Sequence, residues 1–325
     1  VIGDRVRPAG ERHRPTGTAT LPVAPWRLFD VQVRAARRLS PSFLRVTFTG
    51  PDLDRFADNG YDQRIKLVLP LPGRPGVHLP GRPGVHLPGG DDWYTHWRAL
   101  PEQERCPIRT YTVRAVRPHL AEVDVDLVLH GDHGPAGRWA LRVRPGDEAG
   151  LLGPDAGYDG EHGGIEFRPP PAGRLLLAGD ETAVPAISAI LERLPLDARG
   201  EVLLEVPDPA DVLPVSAPPG VTVSWLARAG GGHGSQLLPA VAAAAQRLLT
   251  RTATVPAAAV VDVDVDVAPL WEVPTPTAPV PVYAWLAGEA GVIRALRRHL
   301  VAERGMDRHA VAFMGYWRQG RVDPA

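Results

Sequence analysis

The sequence predicts a two-domain chain: an N-terminal antiparallel β-barrel followed by an α/β domain built on a mainly parallel sheet. Between Trp26 and about Gly153 the chain passes through short runs of period-two alternation separated by turn residues. A Pro169-Pro170-Pro171 break then changes the pattern, and beyond it apolar strand-like runs alternate with helix-like ones. At 325 residues the chain is also longer than a typical single domain.

In the first half the alternating runs are Leu28 to Val33, Phe43 to Phe48, Ile65 to Leu69, Thr110 to Val113 and Val123 to Leu129. Several short strands joined by turns argue for an antiparallel barrel. Residues 1–22 are polar and Arg-rich and read as a flexible tail, so the barrel domain is expected at 23–155. In the second half, Arg174 to Ala178 reads as a strand, followed by a turn and a helical pattern through Ile187, Ile190, Leu191 and Leu194. Strands follow at Glu201 to Val206 and Val221 to Leu226, then a helix from Gln236 to Leu249. A strand at Tyr283 to Ala287, a helix from Gly291 to Arg304 and a strand at Val311 to Tyr316 close the domain, expected at 172–325. Alternation of this kind predicts a parallel sheet covered on both faces.

Two segments stand apart. The octapeptide Pro72 to Leu79 recurs unchanged as Pro80 to Leu87. A single tandem copy reads as a duplicated loop, which costs little in closure entropy. Its two His residues have no further ligands nearby in sequence. The Val–Asp alternation at Val261 to Val267 fits a half-exposed strand better than a calcium loop.

Composition excludes several function classes. A net charge of -1 gives no long-range field for nucleic acid or an anionic membrane. The single cysteine, Cys106, excludes an internal disulfide and a cysteine-based metal cluster, and no metal site is expected. No apolar run of about 18 residues is present, and the opening residues lack the basic-then-apolar order of an export signal. A cytoplasmic protein without stable membrane insertion is expected.

Four constellations carry chemistry. In Arg109-Thr110-Tyr111-Thr112-Val113-Arg114, a strand puts Arg109, Tyr111 and Val113 on one face and Thr110, Thr112 and Arg114 on the other. An Arg fork suits a diphosphate, a Tyr ring can lie on a flat heterocycle, and a Thr can bond a ring nitrogen. An ordinary strand with a surface Arg is the alternative. In His130-Gly131-Asp132-His133-Gly134-Pro135-Ala136-Gly137-Arg138-Trp139, glycines and a proline allow a sharp turn and a short helix from near Pro135. Its first amides can meet an anion; a tight loop between barrel strands is the alternative.

The third, Gly179-Asp180-Glu181-Thr182-Ala183-Val184-Pro185, is a strand-turn-helix in which a dinucleotide site would want small residues. Asp180 and Glu181 instead suit a helix cap and repel phosphate. The fourth, Trp285-Leu286-Ala287-Gly288-Glu289-Ala290, repeats the arrangement with an acid again at the helix start. Two such turns at the ends of parallel strands would face one crevice.

In their order these segments, with Asp62-Gln63-Arg64-Ile65-Lys66-Leu67-Val68-Leu69-Pro70 and Gly315-Tyr316-Trp317-Arg318, resemble the siderophore-interacting protein family of ferredoxin reductase-like flavoproteins. The resemblance runs from Phe29 to Arg318, and its distinguishing piece is the acidic Gly179 to Pro185 turn. It implies a barrel that binds FAD and an α/β domain that receives NADH or NADPH. Arg109 would bind the FAD diphosphate, Tyr111 would stack on the isoalloxazine, and Thr112, followed by Val113, would contact its N5 edge. His130, Gly131, Gly134, Pro135, Ala136, Gly137 and Trp139 would form the phosphate loop, although the family usually has Ser at the position of Gly137. Asp180, Glu181, Thr182, Gly288 and Glu289 would border the nicotinamide entry, with Trp317 close to the flavin.

The implied activity is reduction of Fe(III) in a ferric siderophore, with no catalytic acid, base or protein metal ligand. The cations Arg64, Lys66 and Arg114 are candidates to meet an anionic chelate. Three alternatives keep parts of this plan: a general NAD(P)H-dependent flavin reductase, one fed by ferredoxin, and a non-enzymatic siderophore-binding protein.

Overall fold

The computed structural model describes residues 23–71, 93–132, 134–249, 270–274 and 278–320. The expected tail at 1–22, the duplicated loop at 72–87, His133 and the Val–Asp run at 261–267 lie outside the described residues.

The first unit comprises β1 (Trp26–Arg38), β2 (Phe43–Thr49), β3 (Arg64–Val68), α1 (Trp93–Ala99), β4 (Ile108–Arg117), β5 (Glu122–Val128), α2 (Gly134–Ala140) and β6 (Glu148–Pro154). The strands close into a barrel in the order β1-β2-β5-β4-β3-β6, and β6 pairs antiparallel with both β1 and β3. Strand β6 is the one the alternation pattern passes over. Its Ala149 to Pro154 stretch is buried throughout, so it lacks the polar–apolar alternation of a half-exposed strand. Inside the barrel, Val46, Phe48, Ile65, Leu67, Val123, Val125, Leu127 and Leu151 form a continuous core.

The second unit comprises β7 (Ala172–Gly179), α3 (Val184–Arg193), β8 (Arg199–Val206), β9 (Gly220–Ala227), α4 (Leu237–Leu248), β10 (Trp271–Glu272), β11 (Val280–Glu289), α5 (Ala290–Arg297) and β12 (Val311–Trp317). Its sheet runs β10-β12-β11-β7-β8-β9; β10 pairs antiparallel with β12, and the other pairings are parallel. The predicted helix at 291–304 is α5 continued by a π-helical stretch from Arg298 to Glu303, so the hydrogen-bond register changes part-way. Residues Val241 and Ala244 of α4 and Ile293 and Leu296 of α5 cover one face of the sheet, packing in one core with Leu286 of β11. Residues Val184, Ile187 and Ile190 cover the other, joined by Phe43 from the barrel. The second face is thus shared between helix and barrel.

Charged groups pin the two units together. The Asp211 carboxylate accepts from Ser40 Oγ, Ser42 N and Ser42 Oγ at 2.7, 2.7 and 2.8 Å. Arg114 forks onto Glu192 at 2.9 and 2.5 Å, and Arg193 onto Asp58 at 2.6 and 2.7 Å. Asp62, buried before β3, accepts from the backbone N–H groups of Glu166 and Phe167 in the connecting segment, the latter at 3.0 Å. Burial pushes its carboxyl up to about 6, the backbone donors offsetting only part of that cost.

Candidate functional site

Strand β4 delivers the first wall. Tyr111 and Val113 pack against the barrel core, and Arg109 shares their side of the strand. Burial pushes the Tyr111 phenol up to about 12, with the Arg109 charge pulling the other way. Thr112 is buried on the opposite side, facing Arg64 across the β3–β4 ladder. The register shifts between Val113 and Ala115, so Arg114 sits at an irregularity that re-aims it toward the second unit.

The loop after β5 forms the second wall. Gly131 and Gly134 adopt left-handed φ values of 80° and 73°, conformations that favour glycine. Helix α2 begins at Gly134, with Pro135 and Ala136 in its first turn. A Cβ on Gly137 would meet the Gly131 carbonyl oxygen at 2.8 Å. The absence of a side chain there is what lets the turn close onto the helix. Trp139 anchors α2 to the barrel by stacking on Phe48, ring centroids 6.3 Å apart and planes 9° from parallel.

The two acidic turns meet. Asp180 Oδ2 accepts the Glu289 backbone N–H at 2.7 Å and the Trp317 indole N–H at 2.9 Å. Its Oδ1 accepts Thr182 N at 2.9 Å and Thr182 Oγ1 at 2.5 Å. Four donors therefore converge on one buried carboxylate. Burial, and then the neighbouring Glu181 charge, still push it up to about 6. Gly288 lies between, at a φ of 151° in the region L side chains rarely adopt, and a Cβ there would meet the Asp180 carboxylate at 2.7 Å.

Glu181 is fully buried and takes both fork nitrogens of Arg228, at 2.6 and 2.9 Å. Arg228 also reaches Glu205 at 3.3 Å. The Glu205 carboxylate in turn accepts the N–H groups of Gly234, Gln236 and Leu237 where α4 begins. Two imidazoles lie beside Glu181, with Nδ1 of His130 at 3.9 Å and of His233 at 4.0 Å. His233 meets the Trp317 ring edge-on at 4.7 Å, and His130 lies 5.9 Å from it. His130 comes from the barrel unit, so the loop after β5 lies against the acidic turn and the Trp317 ring of the second unit.

The helix-cap reading of Asp180 and Glu181 is corrected by this geometry. Ala183 is the N-cap residue of α3 and gives no side-chain cap bond, because Asp180 ties its own turn to β11 and Trp317 while Glu181 pairs with Arg228. Glu289 does cap: its side chain accepts Val292 N at the start of α5. Arg228, Glu205 and His233 were not found from sequence. Each lies in a loop or strand without a motif, and only the crossover from β8 to α4 brings them to the turn.

The candidate substrate cations separate. Arg64 bonds Glu166 and lies over the Trp271 ring at 4.5 Å; Lys66 Nζ donates to Thr110 Oγ1 at 2.7 Å. Both are on β3 beside the flavin strand. Arg114 is 12% exposed at its side chain and is committed to Glu192 and Asp126 on another side of the molecule.

A closed antiparallel barrel carrying an Arg-Thr-Tyr-Thr strand, followed by a mainly parallel sheet with two acidic turns at its strand ends, is the plan of a two-domain flavin-dependent oxidoreductase. The siderophore-interacting FAD-binding domain matches residues 32–158, and the siderophore-interacting protein model matches residues 172–320. The chain belongs to the siderophore-interacting protein family. It is 37% identical over 301 residues to an uncharacterised protein of Mycobacterium tuberculosis, covering 91% of this chain and 92% of that one. It is 33% identical over 287 residues to the ferric vibriobactin reductase ViuB of Vibrio cholerae, covering 88% of each.

Among solved structures, a siderophore utilization protein from T. fusca superposes with a TM-score of 0.67 at 28% identity, covering 94% of this chain and 98% of that one. The siderophore-interacting protein SipS from Aeromonas hydrophila gives 0.62 at 30% identity, covering 93% and 95%. A ferredoxin reductase of carbazole 1,9a-dioxygenase, 16% identical, shares the fold with a TM-score of 0.55. FAD is the cofactor, and the residues present fit it. Arg109 supplies a charged fork, Tyr111 an aromatic surface, and Gly131 and Gly134 hold left-handed φ values at the start of α2, where backbone amides are free of helix partners.

Proposed function

We propose that the protein reduces Fe(III) held in a siderophore and so releases iron as Fe(II), as the activity in the name of its ViuB relative suggests. The observation that supports this most is the junction of His130 with Trp317. It sets the loop that would hold the cofactor beside the turns that carry Asp180, Glu181, Thr182, Gly288 and Glu289. The chemistry a bound flavin supplies there is conversion of a two-electron donation into single-electron steps matched to Fe(III). Hard oxygen ligands hold Fe(III) better than Fe(II), so reduction loosens the chelate.

In this reading Arg109 and the first amides of α2 hold the cofactor diphosphate, Tyr111 supports its ring system, and Thr112 lies at the ring edge. Arg64 and Lys66, neighbours on β3, meet an anionic chelate; Arg114, forked onto Glu192 and less exposed than Arg64, offers it little surface. The electron donor is NADH or NADPH. A second reading, in which ferredoxin supplies electrons, is favoured by one observation: the turn that cradles phosphate in a dinucleotide site carries two buried acids here. A cytoplasmic location goes with this function.

The test is anaerobic capture of Fe(II) from a panel of ferric chelates, with NADH, NADPH or reduced ferredoxin as donor. Protein that stays colourless after incubation with FAD, or a yellow protein that reduces no ferric siderophore with any donor, sinks the reading.

A further inference from the structure

A cavity of about 380 Å³ lies between the outer face of the barrel and the second unit. Arg37, Arg38, Arg45 and Arg114 line it on the barrel side with one carboxylate, Asp126. Ser188 of α3, with Leu213 and Pro214, forms the opposite wall. The arginines do not gather there at no cost: Arg37 and Arg45 are direct cross-strand partners on β1 and β2, and like charges directly opposite destabilise a sheet. Asp126, opposite Arg45 on β5, answers only one of them, at 2.7 and 2.8 Å.

The neighbouring acids are committed elsewhere. Glu192 takes the Arg114 fork, and Asp124 serves Arg117 and Thr47. Arg38 donates to the backbone carbonyls of Ser40 and Pro41, which orient its guanidinium without neutralising it. The Arg37 side chain has no hydrogen bond or ion pair among the described residues. Arg45 uses only Nε and Nη2 on Asp126, which leaves Nη1 and its donors for another acceptor. Oriented guanidinium forks with spare donors and surplus positive charge are the chemistry that recognises phosphate and carboxylate oxygens. The walls are held in place by the Asp211 bonds to Ser40 and Ser42 and by Arg114–Glu192.

We propose that this cavity binds a small polyanion carrying closely spaced phosphate or carboxylate groups, and that its occupancy ties the barrel to the second unit. Such a ligand touches Arg37, Arg38 and Arg45 from one unit and Ser188 from the other, so it stabilises the arrangement that holds them together. The site takes Arg114 from the end of the Arg109–Arg114 segment but none of the residues assigned to the cofactor, and it does not depend on the proposed activity.

The test is titration of the full-length, FAD-loaded protein with inorganic pyrophosphate and, separately, with citrate, at constant ionic strength, by calorimetry and thermal unfolding. Saturable one-to-one binding is expected, weakening as sodium chloride rises, with a rise in unfolding temperature at saturation. Pyrophosphate binding alone assigns a phosphate ligand and citrate binding alone a carboxylate ligand. Arg37→Glu with Arg38→Glu should lower affinity at least about tenfold, the loss of charge-assisted contacts. The milder Arg37→Gln, at an exposed side chain with no partner, should lower it less while leaving the fold intact. Arg308→Glu, a charge reversal at an exposed residue outside the cavity, should leave binding unchanged. Absence of saturable binding, equal affinity in the Arg37/Arg38 variant, or an equal loss in Arg308→Glu overturns the proposal.

Discussion

The indole N–H of Trp317, the last residue of β12, donates to Oδ2 of Asp180 at 2.9 Å, across 137 positions of sequence. The same oxygen accepts the Glu289 backbone N–H, so one carboxylate holds the end of β12 against the turns after β7 and β11. Trp317→Phe keeps a ring of similar shape and removes the donor. It should cost about 0.5–1.5 kcal/mol in unfolding free energy, read by denaturant titration. An unchanged midpoint means that the bond contributes nothing net.

Arg228 stands between two buried carboxylates, Glu181 and Glu205. Arg228→Met keeps most of the volume and leaves both acids without their cation. A loss of about 3–5 kcal/mol is expected, the cost of breaking a buried pair from one side. Adding Glu181→Gln should recover part of it. A single variant within about 0.5 kcal/mol of the parent contradicts this account.

Arg109→Ala should weaken FAD binding by about 1.5–3 kcal/mol, the range for charged hydrogen bonds, or roughly ten- to more than a hundredfold. Flavin fluorescence quenching measures this directly. Unaltered affinity would remove Arg109 from the cofactor site.

Gly137→Ala pushes a methyl against the Gly131 carbonyl oxygen, 2.8 Å from an ideal Cβ position. The loop must shift or the helix must tilt, and a cost of about 1–3 kcal/mol is expected from overpacking. FAD affinity should fall with it. Gly137→Ser tests whether the hydroxyl usual in the family can serve this loop.

Asp62 titrates near 6 when folded, against an ordinary 3.8. Between those values the folded chain keeps a proton that the unfolded chain releases. Its contribution to stability is therefore greatest below about pH 4 and is lost as pH rises to about 6. Asp62→Asn carries no such proton. Its stability relative to the parent should improve by about 1–3 kcal/mol between pH 4 and pH 7; a difference that does not vary with pH refutes the assignment.

Much of the architecture was legible in the chain itself. Alternation in Phe43 to Phe48 marks a strand that faces core on one side, Val123 to Leu129 alternates because its second, also buried, face carries Asp124 and Asp126 paired with Arg117 and Arg45, and the buried runs near Leu177 and Trp285 mark strands covered on both sides. Strand β6 escaped because both of its buried faces carry only apolar residues and glycine, so nothing alternates. The residues proposed for the flavin are related locally: Arg109, Tyr111 and Thr112 stand on one strand, and Gly131, Gly134 and Gly137 lie in one turn and the helix it opens.

The acidic turn at Asp180 and Glu181 was visible as a motif, but its partners were not. Glu181 finds Arg228 through the β8–β9 crossover, and Asp180 finds Trp317 only because β12 returns beside β11. The arginines of the domain junction follow the same rule, since Arg37, Arg45 and Arg114 are scattered in sequence and gathered by barrel closure. By itself the sequence determined the local pieces: most of the strands, the Arg109 to Arg114 segment and the two acidic turns. Only the tertiary structure decided which charges neutralise one another, because that depends on strand order, and strand order is set by long-range packing rather than by any local pattern.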